Sequence, residues 1–405
     1  MSSDPQALEA SDPLPSLRDE FHVPEGWAYL AGNSLGLQPK AARAAIEDEL
    51  LEWARLGVEG WFEAREPWLE YAGSLRGPVA RLVGAAEDEV AVMNTLTVNL
   101  HLLLASFYRP TPARHRILIE DTAFPSDSYA VQSQAAWHGF DPAEAVVRVP
   151  LDGVVEAIAR EGDSLAVVLL PGLSYLTGEM LDVPALTEAV HAVGGVAAWD
   201  LAHSIGNVPV SLHDAGADFA VWCSYKYANG GPGAPGGAFV HERHGRRLDV
   251  PRLAGWWGND PAERFRMEPD FVPRPGAEGW GVSTPTVLAL APLRASLEQF
   301  DRVGLNALRA RSLRLTAYLE ELLYEIAQRR PLTVITPREP GRRGCQLSVA
   351  CDDAKRLAGR LRDEHGVVCD FREPDVLRFA PTPLYNTYCD CRRAADALLA
   401  VLDPR

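Results

Sequence analysis

Between His115 and Ser224, short apolar runs alternate with segments of helical periodicity, and this alternation leaves the chain few folds to adopt. The apolar runs are HRILIE (115–120), AVVRV (145–149), LAVVLL (165–170), VAAWD (196–200) and DFAVWCS (218–224). Between them, SDSYAVQSQAAWHG (126–139), DGVVEAIARE (152–161) and VPALTEAVHAVGG (183–195) read as helices, with Ser126 the expected N-cap of the first. Strands this apolar, separated by helices, imply an α/β fold with a mostly parallel sheet covered on both faces. In such sheets the ligand crevice lies at the carboxyl ends of the strands, where Asp200 and Ser224 stand.

Upstream, PKAARAAIEDELLEWAR (39–55) reads as a helix opening on Pro39 and ending before Gly57. A second helix is expected from about Pro67 to Val83, stopped by Gly84. Residues 1–24, acidic and rich in proline and serine, read as a mobile N-terminal arm without the pattern of a secretory signal. From Pro285 the texture changes to two long helices and then LTVIT, CQLSVA, GVVCDF and VLRFA interleaved with further helical segments. The expected organisation is an arm (1–24), a large domain (25–284) and a smaller α+β C-terminal domain (285–405).

Charge and cysteine usage narrow the class of partner. With 55 acidic against 39 basic residues, the net charge of −16 argues against nucleic acid or an anionic membrane as partner. No apolar run approaches the roughly 18 residues of a membrane span. The six cysteines form no C-x-x-C pair and no zinc spacing, which points to a reduced, cytoplasmic chain without a metal.

Gly231 to Gly236 matches the G-x-G-x-x-G dinucleotide fingerprint. Pro232 and Pro235 within it lack the N–H groups that such a loop needs to hold phosphate, and the following GAFVHER reads as a strand. The motif is therefore expected to be a Gly/Pro turn between two strands, which disfavours a nicotinamide oxidoreductase.

Lys226 stands just before that turn, and Asp200 ends a buried run 26 positions earlier, with His203 close behind it. A lysine and a carboxylate so placed suit pyridoxal phosphate, the lysine forming a Schiff base and the acid keeping the pyridine nitrogen protonated. By itself, Asp200 could equally be a helix N-cap. NTLTVNLHLLL (94–104) offers Thr95 and Thr97 at a helix start for an anion, and AFPSD (123–127) offers an aromatic, Phe124, and a second carboxylate.

These segments resemble the kynureninase family of fold-type I pyridoxal-phosphate enzymes, from about Gly26 to Leu402. AGNSLGLQP (31–39), MNTLTVNLHLLL (93–104), AFPSDSYA (123–130), WDLAHSIGNVPV (199–210), SYKYANGGPGAPGG (224–237), LAGWWG (253–258), GAEGWGVSTP (276–285) and LRFAPTPLYNT (377–387) carry the resemblance. It implies a seven-stranded-type sheet, pyridoxal 5′-phosphate as cofactor and a small amino-acid substrate. The implied activity is hydrolytic Cβ–Cγ cleavage of L-kynurenine or its 3-hydroxy form, in tryptophan degradation. Lys226 would bond the cofactor and Asp200 would pair with its ring nitrogen. Phe124 would stack on the ring, with Ser126 and Asp127 in the same cofactor-binding segment and His203 beside the cofactor, while Leu96, Thr97 and Tyr225 would line the phosphate end. Tyr225 is also the expected general acid/base. Trp256 and Thr284 would reach the neighbouring subunit's cofactor, which implies a homodimer with shared active sites. Arg378 would hold the substrate α-carboxylate and Asn33 would lie near it, with Ser283 near the substrate's aromatic ring; Trp61 in GVEGWFEAREPW is a candidate wall for that ring or, equally, a core-packing residue.

Two departures fall near that ring. The family commonly carries Ser-Asn-Pro-Pro where this chain has Ser283-Thr284-Pro285-Thr286, and often a histidine where it has Asn259. They leave the choice between kynurenine and 3-hydroxykynurenine open. The alternative is another fold-type I lyase or desulfurase. A desulfurase needs a mobile nucleophilic cysteine, however, and Cys223 belongs to a buried run. A binding protein that had lost catalysis would be expected to lack Lys226 or Arg378.

Overall fold

A computed structural model describes residues 4–247 and 249–403. The central alternation becomes a seven-stranded sheet: β1 (Val90–Val92), β2 (Arg116–Glu120), β3 (Val146–Val149), β4 (Leu165–Pro171), β5 (Val196–Asp200), β6 (Phe219–Trp222) and β7 (Gly237–Val240). Their spatial order is β1-β7-β6-β5-β4-β2-β3. Strands β2 to β6 pair in parallel, whereas β7 runs antiparallel to both β1 and β6. The Gly/Pro segment between β6 and β7 contains no crossover helix, so the chain can only return antiparallel.

The longer helices are α1 (Pro5–Ser11), α2 (Ala41–Leu56), α3 (Arg76–Val83), α4 (Leu96–Phe107), α5 (Pro125–Trp137), α6 (Val154–Glu161), α7 (Val183–Ala192), α8 (Val287–Val303), α9 (Leu305–Ala327), α10 (Ala354–His365) and α11 (Tyr388–Leu402). The period-2 alternation of each strand sorts its side chains between two cores. Ile117 and Ile119 of β2 pack with Leu100 and Leu103 of α4 and Val131 of α5. Leu118 between them points the other way, into a core shared with α3, α6, α7 and α8. Such continuous apolar strands are what a sheet buried on both faces requires.

A second, smaller antiparallel sheet comprises β8 (Thr333–Val334), β9 (Leu347–Ala350), β10 (Asp370–Arg372) and β11 (Val376–Phe379), in the order β8-β9-β11-β10. Its core is closed by α9, α10 and α11. Helix α9 enters both cores, with Leu308 in the large one and Leu315, Leu319 and Leu322 in the small one. Helix α8 contributes Leu290, Leu293 and Leu297 to the large core.

Several local expectations are corrected. The helix expected from Pro39 begins at Ala41, because Pro39 pairs with Phe21 in a two-residue ladder. The helix expected from Pro67 begins at Tyr71 and is interrupted at Leu75 before α3. Phe124, not Ser126, holds the N-cap position of α5, and Pro125 takes the first helical place, where its missing N–H costs nothing.

The N-terminal arm is docked rather than free. Fully buried Arg311 donates to Glu9 (2.6 Å) and to the Leu14 carbonyl (2.8 Å), and Arg314 clasps Asp12 at 2.6 and 2.9 Å. Tyr388 adds a hydroxyl bond to Asp12 at 2.9 Å. Burial pushes the Asp12 carboxyl up, but the bonds from Arg314, the Leu14 amide and Tyr388, with the field of Arg311, outweigh it and lower its pKa from 3.8 to about 2. The docking that Asp12 supplies is therefore complete above its unfolded pKa and is lost as pH falls through about 2. Limited pepsin digestion at stepped pH should show residues 5–11 becoming cleavable across that window, and already at higher pH in Asp12→Asn.

Candidate active site

A cleft opens where β2, β4 and β5 end, at Glu120, Pro171 and Asp200. It is lined by Leu96, Thr97, Phe124, Ser126, Asp127, Asp200, His203, Tyr225 and Lys226, nine residues expected from the sequence to meet the cofactor. Helices α4 and α5 both begin at its wall, and neither has a side-chain cap. The Thr95 hydroxyl makes no cap bond, so the first-turn amides of α4 remain available to an anion.

Two carboxyls and an amine define the electrostatics. Asp200 accepts from the Ala202 amide at 2.7 Å, which fixes its orientation. Burial raises Asp200, while Lys226, that amide and a hydrogen bond from Asp127 pull it back. Burial pushes Asp127 well above the usual carboxyl range, and the neighbouring Asp200 charge pushes it further. Of the two, Asp127 is pushed the higher and is the one that keeps a proton, turned toward Asp200, while Lys226 favours the charged form of Asp200. Burial, followed by the fields of Lys226, Arg378 and Arg372, holds His203 neutral. Burial pushes the Tyr225 hydroxyl up, so it is protonated at neutral pH. The Lys226 amine lies 5.8 Å from the ring centroids of both Phe124 and Tyr225.

Asp127 Oδ1 and His203 Nδ1 are buried polar atoms without a hydrogen-bond partner among the described residues. A buried carboxyl pair, a neutral imidazole, a lysine amine and two uncapped helix starts call for a ligand with a ring cation, a carbonyl and an anionic group. Pyridoxal phosphate has all three, so the donor set fits the expected cofactor.

The other expected residues lie elsewhere. Arg378 is fully buried on β11, and Asp370 stands directly across the ladder from it on β10. The pair is bidentate, with Nε donating to Asp370 Oδ1 at 2.6 Å and Nη2 donating to Oδ2. Nη1 donates to the Tyr175 carbonyl at 2.7 Å, and the Tyr175 ring lines the cleft. Asn33 is buried, donates to Gln346 at 2.9 Å and leaves its Oδ1 without a partner. Ser283 and Thr284 are exposed and border no part of the cleft. Trp256 is 42% exposed and packs on Phe265. Trp61 packs edge-on against Trp68 and lines a separate groove with Trp53 and Pro285–Ala289. The Asn259 side chain accepts from the Val272 amide at 2.8 Å and so ties its own loop together.

Glu120, Tyr175 and Asp370 were missed. Glu120 had a readable signal, an acid closing an apolar strand as Asp200 does. Burial pushes it up to about 7 against the pull of the Thr122 hydroxyl. Asp370 had none, because its importance comes from the cross-strand register.

The glycine motif divides by role. Gly231 and Gly233 adopt positive φ (89° and 75°) with open space around them, as turn residues do. Gly236 is needed for close approach, since a Cβ there would collide with the Trp222 carbonyl and come within 3.3 Å of the Leu96 amide.

A family described as the kynureninase C-terminal domain matches residues 308–398. A kynureninase from Salinispora tropica is 56% identical, covering 98% of this chain and 96% of its own. One from Koribacter versatilis is 51% identical over the same shares of the two chains. Among solved structures, a cysteine desulfurase from Thermococcus onnurineus NA1 has a TM-score of 0.79 at 16% identity, covering 95% of this chain and 97% of that one. At that identity the likeness speaks for the fold alone.

Proposed function

Because the chain belongs to the kynureninase family, we propose that the cleft around Lys226, Asp127 and Asp200 is where it performs the family's reaction. The protein is a pyridoxal-phosphate-dependent hydrolase that splits L-kynurenine at the Cβ–Cγ bond, giving anthranilate and L-alanine. The observation that carries the site is the buried Asp127–Asp200 pair facing the Lys226 amine.

Pyridoxal phosphate, when bound, supplies the electron sink that makes the substrate's α-proton acidic. Asp200 would hold the ring nitrogen as a cation, with Asp127 keeping the shared proton and the geometry. Lys226 Nζ would take the α-proton, since it is the mobile base of the cleft. Tyr225, protonated at neutral pH, would deliver a proton from its hydroxyl. Uncharged His203 would offer its face to the ring without opposing the cation. Phe124 closes one side, Leu96 and Thr97 would present α4 amides to the phosphate, and Ser126 would do the same from α5.

Arg378 would receive the substrate α-carboxylate, which must share or replace the bond to Asp370. Arg378→Lys keeps the charge but loses the bidentate fork. It should raise KM for kynurenine by about 10- to 100-fold, read by steady-state assay, with a smaller change in kcat.

We also take the working unit to be a homodimer. Trp53, Val58, Phe62, Trp256, Phe265 and Leu288 are exposed large apolar side chains, in keeping with a face that another subunit covers. In such a dimer Trp256 and Thr284 would complete the neighbouring cleft. Mixing Lys226→Ala chains with Trp256→Ala chains should then restore activity that neither has alone, because each mixed pair contains one intact site. The free thiols fit a cytoplasmic protein.

The purified protein should be yellow, and adding kynurenine should change its visible spectrum and release fluorescent anthranilate. L-cysteine should not yield sulfide, because Cys223 is buried, burial pushes its thiol up, and the one exposed cysteine, Cys389, lies on α11. Sulfide release without anthranilate would overturn the reading. Parallel assays with 3-hydroxykynurenine decide the preference left open by Thr284 and Asn259.

A further inference from the structure

We propose that Glu89, His213 and His241 form a binding site for one divalent transition-metal ion of the zinc class. The three side chains come from separate segments. Glu89 closes the turn immediately before β1, His213 lies between β5 and β6, and His241 directly follows β7. Their ligating atoms all lie within 4.8 Å of one another. Glu89 Oε1 is 2.9 Å from His213 Nδ1 and 3.6 Å from His241 Nδ1. Ligands held about 2.0–2.1 Å from a tetrahedral zinc lie roughly 3.3 Å apart, so shifts of a few tenths of an ångström would seat the ion.

The carboxylate is already fixed in place. Glu89 is fully buried, its Oε1 accepts from the Glu242 amide at 2.8 Å and its Oε2 accepts from the Ala86 amide at 2.9 Å. His241 Nδ1 accepts from the Arg243 amide at 3.3 Å and is therefore the unprotonated nitrogen of its ring. Its lone pair stands beside a carboxylate oxygen, and those two acceptors repel unless a cation lies near both. His213 Nδ1 faces both oxygens of Glu89, at 2.9 and 3.0 Å, and leaves the side toward His241 without a proton of its own. A metal ion would satisfy all three groups at once, releasing the His213 Nδ1 proton to solvent and exchanging the weak Arg243 bond for water. Two imidazoles and one carboxylate select zinc, cobalt or nickel over magnesium or calcium, which take oxygen ligands. The side chain of His213 is 40% exposed while that of Glu89 is wholly enclosed, so the ion would enter over His213 and keep a water as fourth ligand.

The site lies at the start of β1 and the end of β7, whereas Leu96 and Thr97 follow the opposite end of β1. Its effect is structural: it clips the edge strand β1 to β7 and to the loop before β6.

The test uses holoenzyme freed of metal by chelator and titrated calorimetrically with zinc sulfate, beside His213→Ala and His241→Gln. The parent should bind one zinc per chain, with an unfolding temperature raised by a few degrees. Each variant should bind at least about tenfold more weakly and lose that rise. His213→Ala should turn over kynurenine as the parent does, which separates this site from the cleft. No zinc bound by the parent, or equal affinity in the parent and His213→Ala, would overturn the proposal. His213 is half-exposed, so that variant decides the matter even if His241→Gln does not fold.

Discussion

Lys226→Ala should be colourless in the visible and inactive, with kynurenine turnover reduced by on the order of 10³-fold or more. Without the amine, no side chain of the cleft can hold the cofactor covalently. The α-proton also loses its base, since His203 is held neutral but buried and Asp127 is already protonated. The fold should survive, because Lys226 is only half-buried and forms no ion pair with any of the described residues. Circular dichroism and unfolding temperature close to those of the parent would attribute the loss to chemistry. A variant that stays yellow and active would remove Lys226 from the mechanism.

Asp200→Asn is expected to lower kcat by about 10²- to 10³-fold, the scale of removing one preorganised electrostatic partner. Asparagine has the same shape and can still accept from the Ala202 amide, so the turn after β5 should persist. What disappears is the negative charge that would keep the ring nitrogen cationic. Asp127→Asn supplies the contrast. If Asp127 carries the shared proton, asparagine imitates its donor role, and its loss should be much smaller. Equal losses in the two variants would reverse the assignment of the proton.

The residues that could be read from sequence were those with a local pattern. Each apolar run from HRILIE to DFAVWCS became a strand of the large sheet, because a strand buried on both faces leaves an uninterrupted apolar signature. Lys226 and Asp200 were legible because strand ends are where side chains reach a crevice. Contacts between distant segments were not. Arg311 grips Glu9 across about 300 positions, so the N-terminal segment read as a loose arm. Asp370 meets Arg378 through ladder register alone. Ser126 looked like a helix cap until Pro125 took the first turn. Trp61 belongs to an aromatic groove of its own, and no periodicity in GVEGWFEAREPW distinguishes that groove from the cleft.

The reversed strand β7 also sets a schedule for synthesis. β1 and the start of α4 emerge early from the ribosome, yet β1 has no partner until β7 has been made. Gly236 exchanges backbone hydrogen bonds with Met93 and Asn94, just before α4, so that corner of the cleft waits for the same segment. A nascent chain halted before Val240 would expose an unpaired apolar edge at β6 and lack a finished anion site. Capture of the cofactor is thereby postponed until nearly the whole large sheet has been translated.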